Sequence, residues 1–158
     1  MAVVLYRVDE RLIHGQVVVA WGHALRFDTI VVIDDDLAES DWEQDLYRIA
    51  AGEARAIFST VDAAVDRVPE WVADGQRTLV LTRGLAAMRA LGDAGLLDGV
   101  EVNLGGQHHG PDRRELLSYL HLTDADIEDV RALVSRGATV SARDVPDAAR
   151  VSAAQLIS

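Results

Sequence analysis

Cysteine and lysine are both absent from the 158 residues of this chain. Without thiols the protein has no disulfide, no thiolate nucleophile and no cysteine-based zinc site. No apolar run approaches the roughly 20 residues of a membrane-spanning helix. The stretch 1–8 is also too short and too soon followed by charge to be a signal peptide. We therefore expect a soluble, cytoplasmic protein.

Positive charge is scarce as well. The chain has 26 acidic and 15 basic side chains, and its formal net charge is -11. This balance argues against a general nucleic-acid binder, which needs a basic face to neutralise phosphates. It argues equally against docking on an anionic lipid surface. Because every basic residue is arginine, each fixed positive charge is a guanidinium, which suits bidentate contacts with oxyanions.

The chain is long and apolar enough to fold as one domain, 1–158, because 49% of its residues are hydrophobic. Short β-branched runs alternate with longer helical patterns. This alternation predicts an α/β fold, an open and mostly parallel sheet of about seven strands with helices on both faces. The predicted strands are 2–8, 29–33, 55–59, 77–82, 99–104, 116–122 and 138–143. The predicted helices are 15–25, 40–51, 60–73, 85–94 and 124–136, with a short tail helix after Pro146.

Two details of the helix ends can be predicted from the sequence. Ser40, with Glu43 three residues later, is typical of a capping box at a helix start. Thr123 is expected to cap the helix 124–136, and Gly137 to end it. In parallel sheets, ligands bind beyond the carboxyl ends of the strands. That rule selects four loops as candidate sites: 9–14, 34–38, 83–84 and 105–111.

The segment 7–16 is the densest cluster of chemically useful groups. His14 lies at a helix entrance, where free backbone N–H groups and the helix dipole favour an anion. Gly15 allows the backbone to approach a bound group closely. Arg11 supplies a guanidinium nearby, and Asp9 is placed to accept a hydrogen bond from an imidazole N–H or from Arg11.

These groups suit phosphoryl transfer. A neutral imidazole is a good nucleophile near pH 7, and the enzyme's task in such reactions is mainly positioning and charge stabilisation. Backbone donors and Arg11 would stabilise a negatively charged phosphohistidine at His14. The alternative is that His14 is only a helix cap or surface residue. For Arg7 we expect solvation of a strand end rather than a place in the loop.

The stretch RVDERLIHGQVVVAW, residues 7–21, resembles the first motif of the IIB family of mannose/fructose/sorbose sugar phosphotransferase systems (PTS). Segments 30–41, 101–106, 122–127 and 137–146 resemble further parts of that family in order and spacing, so the resemblance covers essentially the whole chain. Two departures are visible. Glu10 replaces the usual Asp, and segment 42–52 lacks the Lys and Pro that are common there.

The resemblance implies an open α/β sheet and a definite activity. The chain would be a phosphoryl carrier, a protein-Nπ-phosphohistidine–sugar phosphotransferase component. It would accept phosphate from a IIA phosphohistidine onto His14 and pass it to a sugar held by the membrane components IIC and IID. Asp9 and Arg11 would assist catalysis, and Arg11, Gly15 and Gln16 would bind the phosphate. No cofactor is implied, and the protein would work at the inner face of the membrane.

Two other functions stay open on the residues alone. One is a hydrolase that uses His14 as a phosphorylated nucleophile, which would need a positioned water and a general acid. The other is a non-catalytic regulatory module that binds a phosphorylated ligand. The identity of the sugar and the oligomeric state, including a homo-oligomer, also stay open.

Two further clusters have a metal interpretation and a plainer one. For His108 and His109 we expect a loop that packs beside His14 and shapes the phosphate pocket, rather than a metal site. For the acidic run 34–36 we expect a solvated turn with a helix cap rather than a Mg²⁺ site. We therefore expect no metal.

Overall fold

Parallel β-strands form the centre of the molecule in the computed structural model, which describes residues 3–157. In chain order the strands are β1 (Val3–Val8), β2 (Thr29–Ile33), β3 (Arg55–Ser59), β4 (Thr78–Thr82), β5 (Glu101–Leu104), β6 (Arg114–Leu117), β7 (Leu120–Leu122), β8 (Thr139–Ala142) and β9 (Val151–Ser152). Within the described residues, seven of them make one sheet in the order β3-β2-β4-β1-β5-β8-β9. Only the last pair is antiparallel.

The helices connect the strands and cover both faces of the sheet. The first, α1, begins with a π-helical segment (Gln16–Trp21) and continues as one α-helical turn (Gly22–Leu25). The others are α2 (Asp35–Ala38), α3 (Asp41–Ala50), α4 (Val61–Ala73), α5 (Leu85–Asp93), α6 (Asp124–Ser135) and α7 (Ala153–Ile157). None of the helices within residues 3–157 has the length and hydropathy needed to cross a membrane.

Two separate hydrophobic clusters follow from the alternation of side chains along the strands. In β2, Val31 and Ile33 belong to the larger cluster, which also contains residues of α4, α5 and α6, while Ile30 and Val32 face the opposite side. There they pack in a smaller cluster with α1 and the buried Leu37 of α2. We call these two sides the α4–α6 face and the α1–α3 face. Both sides of the central strands are buried, as their continuous apolar sequences predict.

The predicted fold class is confirmed, but the predicted strand 116–122 is wrong. That segment forms the antiparallel hairpin β6–β7, outside the main sheet. Its sequence is apolar but is interrupted by Ser118 and Tyr119, where the chain turns. The seventh strand of the sheet is instead β9, which pairs with β8. Because β9 has only two residues, no sequence pattern indicates it. Ala2, predicted to begin the first strand, lies outside the described residues.

The two predicted helix starts have different outcomes. Thr123 and Asp126 form a reciprocal capping box at α6, and Gly137 follows it with a φ of +94°, as predicted. The capping box at Ser40 is wrong, because the Ser40 side chain makes no capping hydrogen bond. The buried Gln44 side chain makes the connection there, since it donates to the carbonyls of Leu37 and Ala38 and so ties α3 to α2.

Candidate functional site

The loop 9–15 joins the carboxyl end of β1 to α1, and its neighbours at this edge are the loops after β4 and β5. The backbone N–H of Asp9 donates to the Thr82 carbonyl at 3.0 Å, and that of Glu10 donates to the Gly106 carbonyl at 2.9 Å. Arg83 pairs with Asp34 across 3.2 Å. The four loops selected from the sequence therefore meet at one edge of the sheet, as the rule for parallel strands predicts.

Asp9 is the centre of the site. Its carboxylate is fully buried and accepts hydrogen bonds from the backbone N–H, Nε and Nη2 of Arg11, at 3.1 to 3.2 Å. It also accepts from Arg7 Nη2 at 3.0 Å. Of the two roles that the sequence allows for Asp9, the structure shows the one that orients Arg11. The bidentate geometry fixes the guanidinium plane.

The ionisation of Asp9 follows from these contacts. Burial alone raises the pKa of Asp9, but the hydrogen bonds from Arg11 and the charge of Arg7 outweigh burial and hold the pKa below its usual value. Burial lowers the pKa of Arg7, and the charge of Asp9 opposes that shift. Two guanidinium groups and one carboxylate leave the cluster with an excess of one positive charge.

Arg7 lies inside the protein, so the expectation that it solvates a strand end is wrong. Its side chain is completely buried and donates to Asn103 Oδ1 and to the backbone carbonyls of Arg143, at 3.0 Å, and Asp144, at 3.1 Å. Only its Nε has no partner among the described residues. Arg7 thereby connects three separate parts of the chain beneath the loop.

Trp21 packs over this network from α1. The guanidinium carbons of Arg7 and Arg143 each lie 5.0 Å from the centre of a Trp21 ring. The indole N–H donates to the Asp144 carbonyl at 3.0 Å. Cation–π contacts are stronger where water is excluded, and Trp21 is only 1% exposed. The Trp of the sequence motif therefore shields the ion pairs beneath His14.

His14 lies at the rim of the cluster with 18% of its side chain exposed. Its Nδ1 is 3.0 Å from the carbonyl oxygen of Leu12. Since a carbonyl only accepts, Nδ1 carries the proton of the neutral ring and Nε2 carries the lone pair. Nε2 is buried without a hydrogen-bond partner among the described residues, and it lies 3.9 Å from Asp9 Oδ2. In this state both nitrogens face the protein.

The loop holds His14 through strained and apolar residues. Leu12 has a φ of +56°, in the left-handed region that costs a non-glycine residue about 1–2 kcal/mol. Leu12 and Ile13 are both buried in the smaller hydrophobic cluster, which offsets that cost. The turn at Leu12 brings its own carbonyl back toward the His14 ring. The position of His14 is therefore fixed by its two apolar predecessors.

The start of α1 offers room and donors for an anion. The carbonyl of His14 accepts from the Val18 N–H at 3.0 Å, so the N–H groups of the first turn have no acceptor within the helix. A Cβ on Gly15 would meet nothing within 4 Å. Gln16 Oε1 accepts from Arg11 Nη2 at 2.9 Å, which leaves the Gln16 amide N–H groups available for another acceptor. The predicted phosphate-binding residues thus lie together.

The glycine-rich loop after β5 packs directly against the two arginines. A Cβ on Gly106 would lie 2.9 Å from Arg11 Nη2, and one on Gly105 would overlap the Arg7 guanidinium. The loop was expected to pack beside His14 and to shape the phosphate pocket; these contacts bring it to Arg11 of the His14 loop, and its role in a phosphate pocket stays a prediction. His108 contacts Glu10 through its backbone N–H and through Nδ1, at 2.9 Å, so Glu10 ties the two loops together. His109 packs edge-on against His121, with ring centres 5.8 Å apart.

The acidic run after β2 forms a helix cap, as expected. Asp34 accepts from the Leu37 N–H at 3.0 Å and so caps α2. Asp35 accepts from the Val61 N–H at 2.8 Å at the start of α4. Asp34 also pairs with Arg83, which links the acidic turn to the neighbouring loop.

Arg7, Asn103 and Trp21 were not predicted to be part of the site. A signal for two of them was present in the sequence. β1 and β5 alternate an apolar residue with a polar one, as in Tyr6-Arg7-Val8 and Val102-Asn103-Leu104. Arg7 and Asn103 are adjacent in the parallel register. Such alternation indicates that one side of these strands carries no ordinary apolar core.

Comparisons with known proteins agree with this geometry. The family model described as "PTS system sorbose subfamily IIB component" matches residues 3–158. The N-acetylgalactosamine-specific phosphotransferase enzyme IIB component 1 of Escherichia coli (strain K12) is 31% identical over 147 residues, which cover 91% of each chain. The crystal structure of the N-acetylgalactosamine-specific IIB component 1 from Escherichia coli superimposes with a TM-score of 0.84 at 28% identity, over 94% of this chain and 97% of that one.

A third relative is longer than this chain. The PTS system mannose-specific EIIAB component of Escherichia coli (strain K12) is 26% identical over 161 aligned positions, which cover 100% of this chain and 49% of the relative. The family match extends over nearly every residue, and it includes the loop that carries His14 and Asp9. The chain therefore belongs to the sorbose subfamily of PTS IIB components, and its members are components of phosphotransferases.

Proposed function

We propose that this chain is a phosphoryl carrier that acts through His14. It accepts the phosphoryl group from a phosphohistidine of a IIA partner and transfers it to a sugar bound by the membrane components IIC and IID. The observation that carries the proposal is the imidazole at the entrance of α1, 3.9 Å from Asp9 and beside a guanidinium that Asp9 orients. As a single domain, the protein works in the cytoplasm at the inner face of the membrane.

One relative supports the IIA partner in this scheme. The mannose-specific EIIAB relative combines IIA and IIB in its name, and this chain aligns with about half of it. We infer that the phosphoryl donor of this chain is likewise a IIA domain. The sugars named for the relatives differ, so the sugar of this chain is not assigned.

The transfer step needs one free ring nitrogen. A lone pair of His14 attacks phosphorus while the P–N bond of the donor breaks, and the electrons of that bond return to the donor imidazole. For transfer to Nδ1, the ring must turn away from the Leu12 carbonyl, which now occupies that atom. The proton on Nδ1 then moves to Nε2, and Asp9 can stabilise this new N–H. Turning the ring also releases Nδ1 from the Leu12 carbonyl, so that a donor can approach this atom.

The neighbouring side chains fit the charge of the product. Arg11 uses Nε and Nη2 for Asp9 and Gln16 within the described residues, so its Nη1 remains for a phosphoryl oxygen. The guanidinium is already held in place and loses little freedom when phosphate arrives. The first-turn N–H groups of α1 and the Gln16 amide add uncharged donors. Together they stabilise both the transferring group and the phosphohistidine.

The test is a measurement of intact mass. The chain is incubated with phosphoenolpyruvate, the two general phosphotransfer proteins and a IIA that is shown to phosphorylate another IIB. We expect one added phosphoryl group that is lost in acid, absent in His14→Ala and retained in His23→Ala. His23 is an exposed residue of the same helix and serves as the matched control. NMR of the phosphorylated ring then identifies Nδ1 or Nε2 as the acceptor.

Other outcomes contradict the proposal in distinct ways. No added mass on the wild-type chain, with phosphate or a phosphorylated ligand bound reversibly, would support a non-catalytic binding module. A phosphohistidine that loses phosphate to water within seconds would support a hydrolase. Phosphate that persists in His14→Ala would place the acceptor elsewhere.

A further inference from the structure

The helix α3 exposes an apolar stripe that the phosphoryl site does not use. Trp42, Leu46 and Ile49 are 67%, 56% and 78% exposed. They are spaced four and three residues apart, so they lie on one side of the helix. Single exposed apolar residues are ordinary on protein surfaces. A contiguous stripe that includes a tryptophan instead indicates an interaction surface.

The stripe lies on the face of the sheet that carries the most exposed of the large apolar residues. Val19 on α1 is the fourth strongly exposed apolar residue, at 70%, and it lies on the same α1–α3 face. On the α4–α6 face, the large apolar residues most exposed within the described part of the chain are Val72 and Val134, at 40% and 46%. The apolar exposure is therefore concentrated on the face whose first helix begins directly after His14.

The charges around the stripe indicate the charge of the surface that it binds. Segment 39–53 contains five acidic residues and one basic residue, which is a net charge of -4. The basic residue, Arg48, is already engaged, because it pairs with Asp45 at 3.0 Å and stacks on Phe58 at 5.1 Å. A complementary surface needs an apolar centre and a rim of Lys or Arg.

These features disfavour two other occupants. In a symmetric dimer through the stripe, each acidic rim would face its copy and repel it. A three-residue stripe on a ten-residue helix is also small beside the roughly 800 Å² that each partner buries in a stable interface. A lipid surface is disfavoured because the cytoplasmic leaflet is itself negatively charged.

We propose that the stripe Trp42–Leu46–Ile49 docks on the basic cytoplasmic surface of the membrane component that holds the acceptor sugar. Cytoplasmic loops of membrane proteins are enriched in Lys and Arg, which matches the acidic rim of α3. This inference rests on the proposed function and adds a docking site to it. The stripe lies on α3 and includes no residue of the His14 loop, so docking through it does not use the imidazole that must meet the sugar.

The closing experiment compares two multiple variants. Trp42→Ser/Leu46→Ser/Ile49→Ser removes the stripe, and Val72→Ser/Val134→Ser removes exposed apolar side chains from the other face. Each protein is titrated, in its phosphorylated form, into proteoliposomes that contain the cognate IIC and IID, and sugar phosphate is measured. We expect the stripe variant to raise the KM for the carrier at least tenfold with kcat nearly unchanged. We expect the control to stay within twofold of wild type.

A direct binding measurement separates this inference from the proposed function. The unphosphorylated chain is sedimented with the same proteoliposomes and with empty anionic liposomes. We expect the wild type to sediment only with IIC and IID, the stripe variant to stay in solution, and Asp41→Lys/Asp45→Lys to bind more weakly. This result does not depend on phosphate transfer, so it survives if His14 is not the acceptor.

Four results would overturn the docking proposal. The first is that the stripe variant has an unchanged KM and unchanged sedimentation, and the second is that the wild type binds empty liposomes equally well. The third is that the stripe variant is slow to accept phosphate from IIA. The fourth is that the wild type is a dimer in sedimentation equilibrium and the stripe variant is not. The third result would make IIA the occupant of the stripe. The fourth would make a second copy of this chain the occupant.

Discussion

The two faces of the sheet are built in different ways. On the α4–α6 face three helices cover the strands with ordinary apolar side chains, among them Val68, Leu91 and Val130, each at most 2% exposed. On the α1–α3 face the cover begins with a π-helical segment, and ion pairs replace part of the core. Both faces belong to the same strands, so the difference arises from alternate residues of one sequence.

This difference separates an ordinary apolar face from the face that carries the candidate functional site. An apolar face is stabilised by burial of area and makes few demands on geometry. The face below His14 contains a buried carboxylate and a buried guanidinium, which are stable only while each has its partners. Such a network has little tolerance for substitution, but it holds Arg11 in one orientation. The α1–α3 face is therefore expected to respond to mutation in function as well as in stability.

The largest effect is expected from Arg7→Met. This change leaves Asp9 without one of its two cations and leaves Asn103 Oδ1 unpaired. It also removes one of the two donors to each of the Arg143 and Asp144 carbonyls, which keep their hydrogen bonds from Asn103 and Trp21. We expect the free energy of unfolding to fall by about 3–5 kcal/mol, and phosphate acceptance to fall sharply. Urea unfolding and intact mass after incubation with phosphorylated IIA measure the two effects. A loss of stability below about 1 kcal/mol would show that the network is not a unit.

A substitution on the α4–α6 face, with a similar expected loss of stability, tests whether the two faces differ in their effect on phosphate acceptance. Leu91→Ala removes a fully buried side chain of α5, and we expect the free energy of unfolding to fall by about 2–5 kcal/mol because a cavity remains. The rate of phosphate acceptance by the folded fraction should stay within twofold of wild type. If that rate falls as far as in Arg7→Met, the proposed separation between the faces is wrong.

The smallest expected effect is on how the free energy of unfolding changes with pH in acid. Because the pKa of Asp9 is lower in the folded protein than in the unfolded chain, its contribution to stability is complete above the unfolded pKa of about 3.9. The contribution is lost as the pH falls through the folded pKa. Asp9→Asn should therefore lose stability less steeply than wild type below about pH 4. Urea midpoints across this range measure the slopes, and Asp147→Asn, a change at an exposed aspartate outside the site, is the matched control.

Much of the fold could be predicted from the sequence, for local reasons. The continuous apolar segments 29–33 and 78–82 indicate strands buried on both sides, and the Thr123 cap and Gly137 mark the ends of α6. The hairpin β6–β7 could not be predicted in the same way. An apolar segment of seven residues is compatible with one strand or two, and only its contacts with the chain near Gln107 decide between them.

The candidate site shows the same division. His14, Arg11 and Asp9 are close in sequence, so their proximity follows from the strand–loop–helix pattern alone. For Arg7 the local pattern predicts a place at the surface, because a charged residue at a strand end is usually solvated. Its actual partners, Asn103 and the carbonyls of Arg143 and Asp144, are about a hundred residues or more away in the chain.

By itself, the sequence determined the class of fold, the edge of the sheet at which the four candidate loops meet, and the loop with the candidate residue His14, because each depends on local pattern and on the direction of parallel strands. The tertiary structure alone decided that Arg7 is buried, that Trp21 covers it, and that both imidazole nitrogens of His14 face inward. A buried charge is stable only with partners, and those partners are brought together by the order of strands in the sheet. That order is a property of the folded chain.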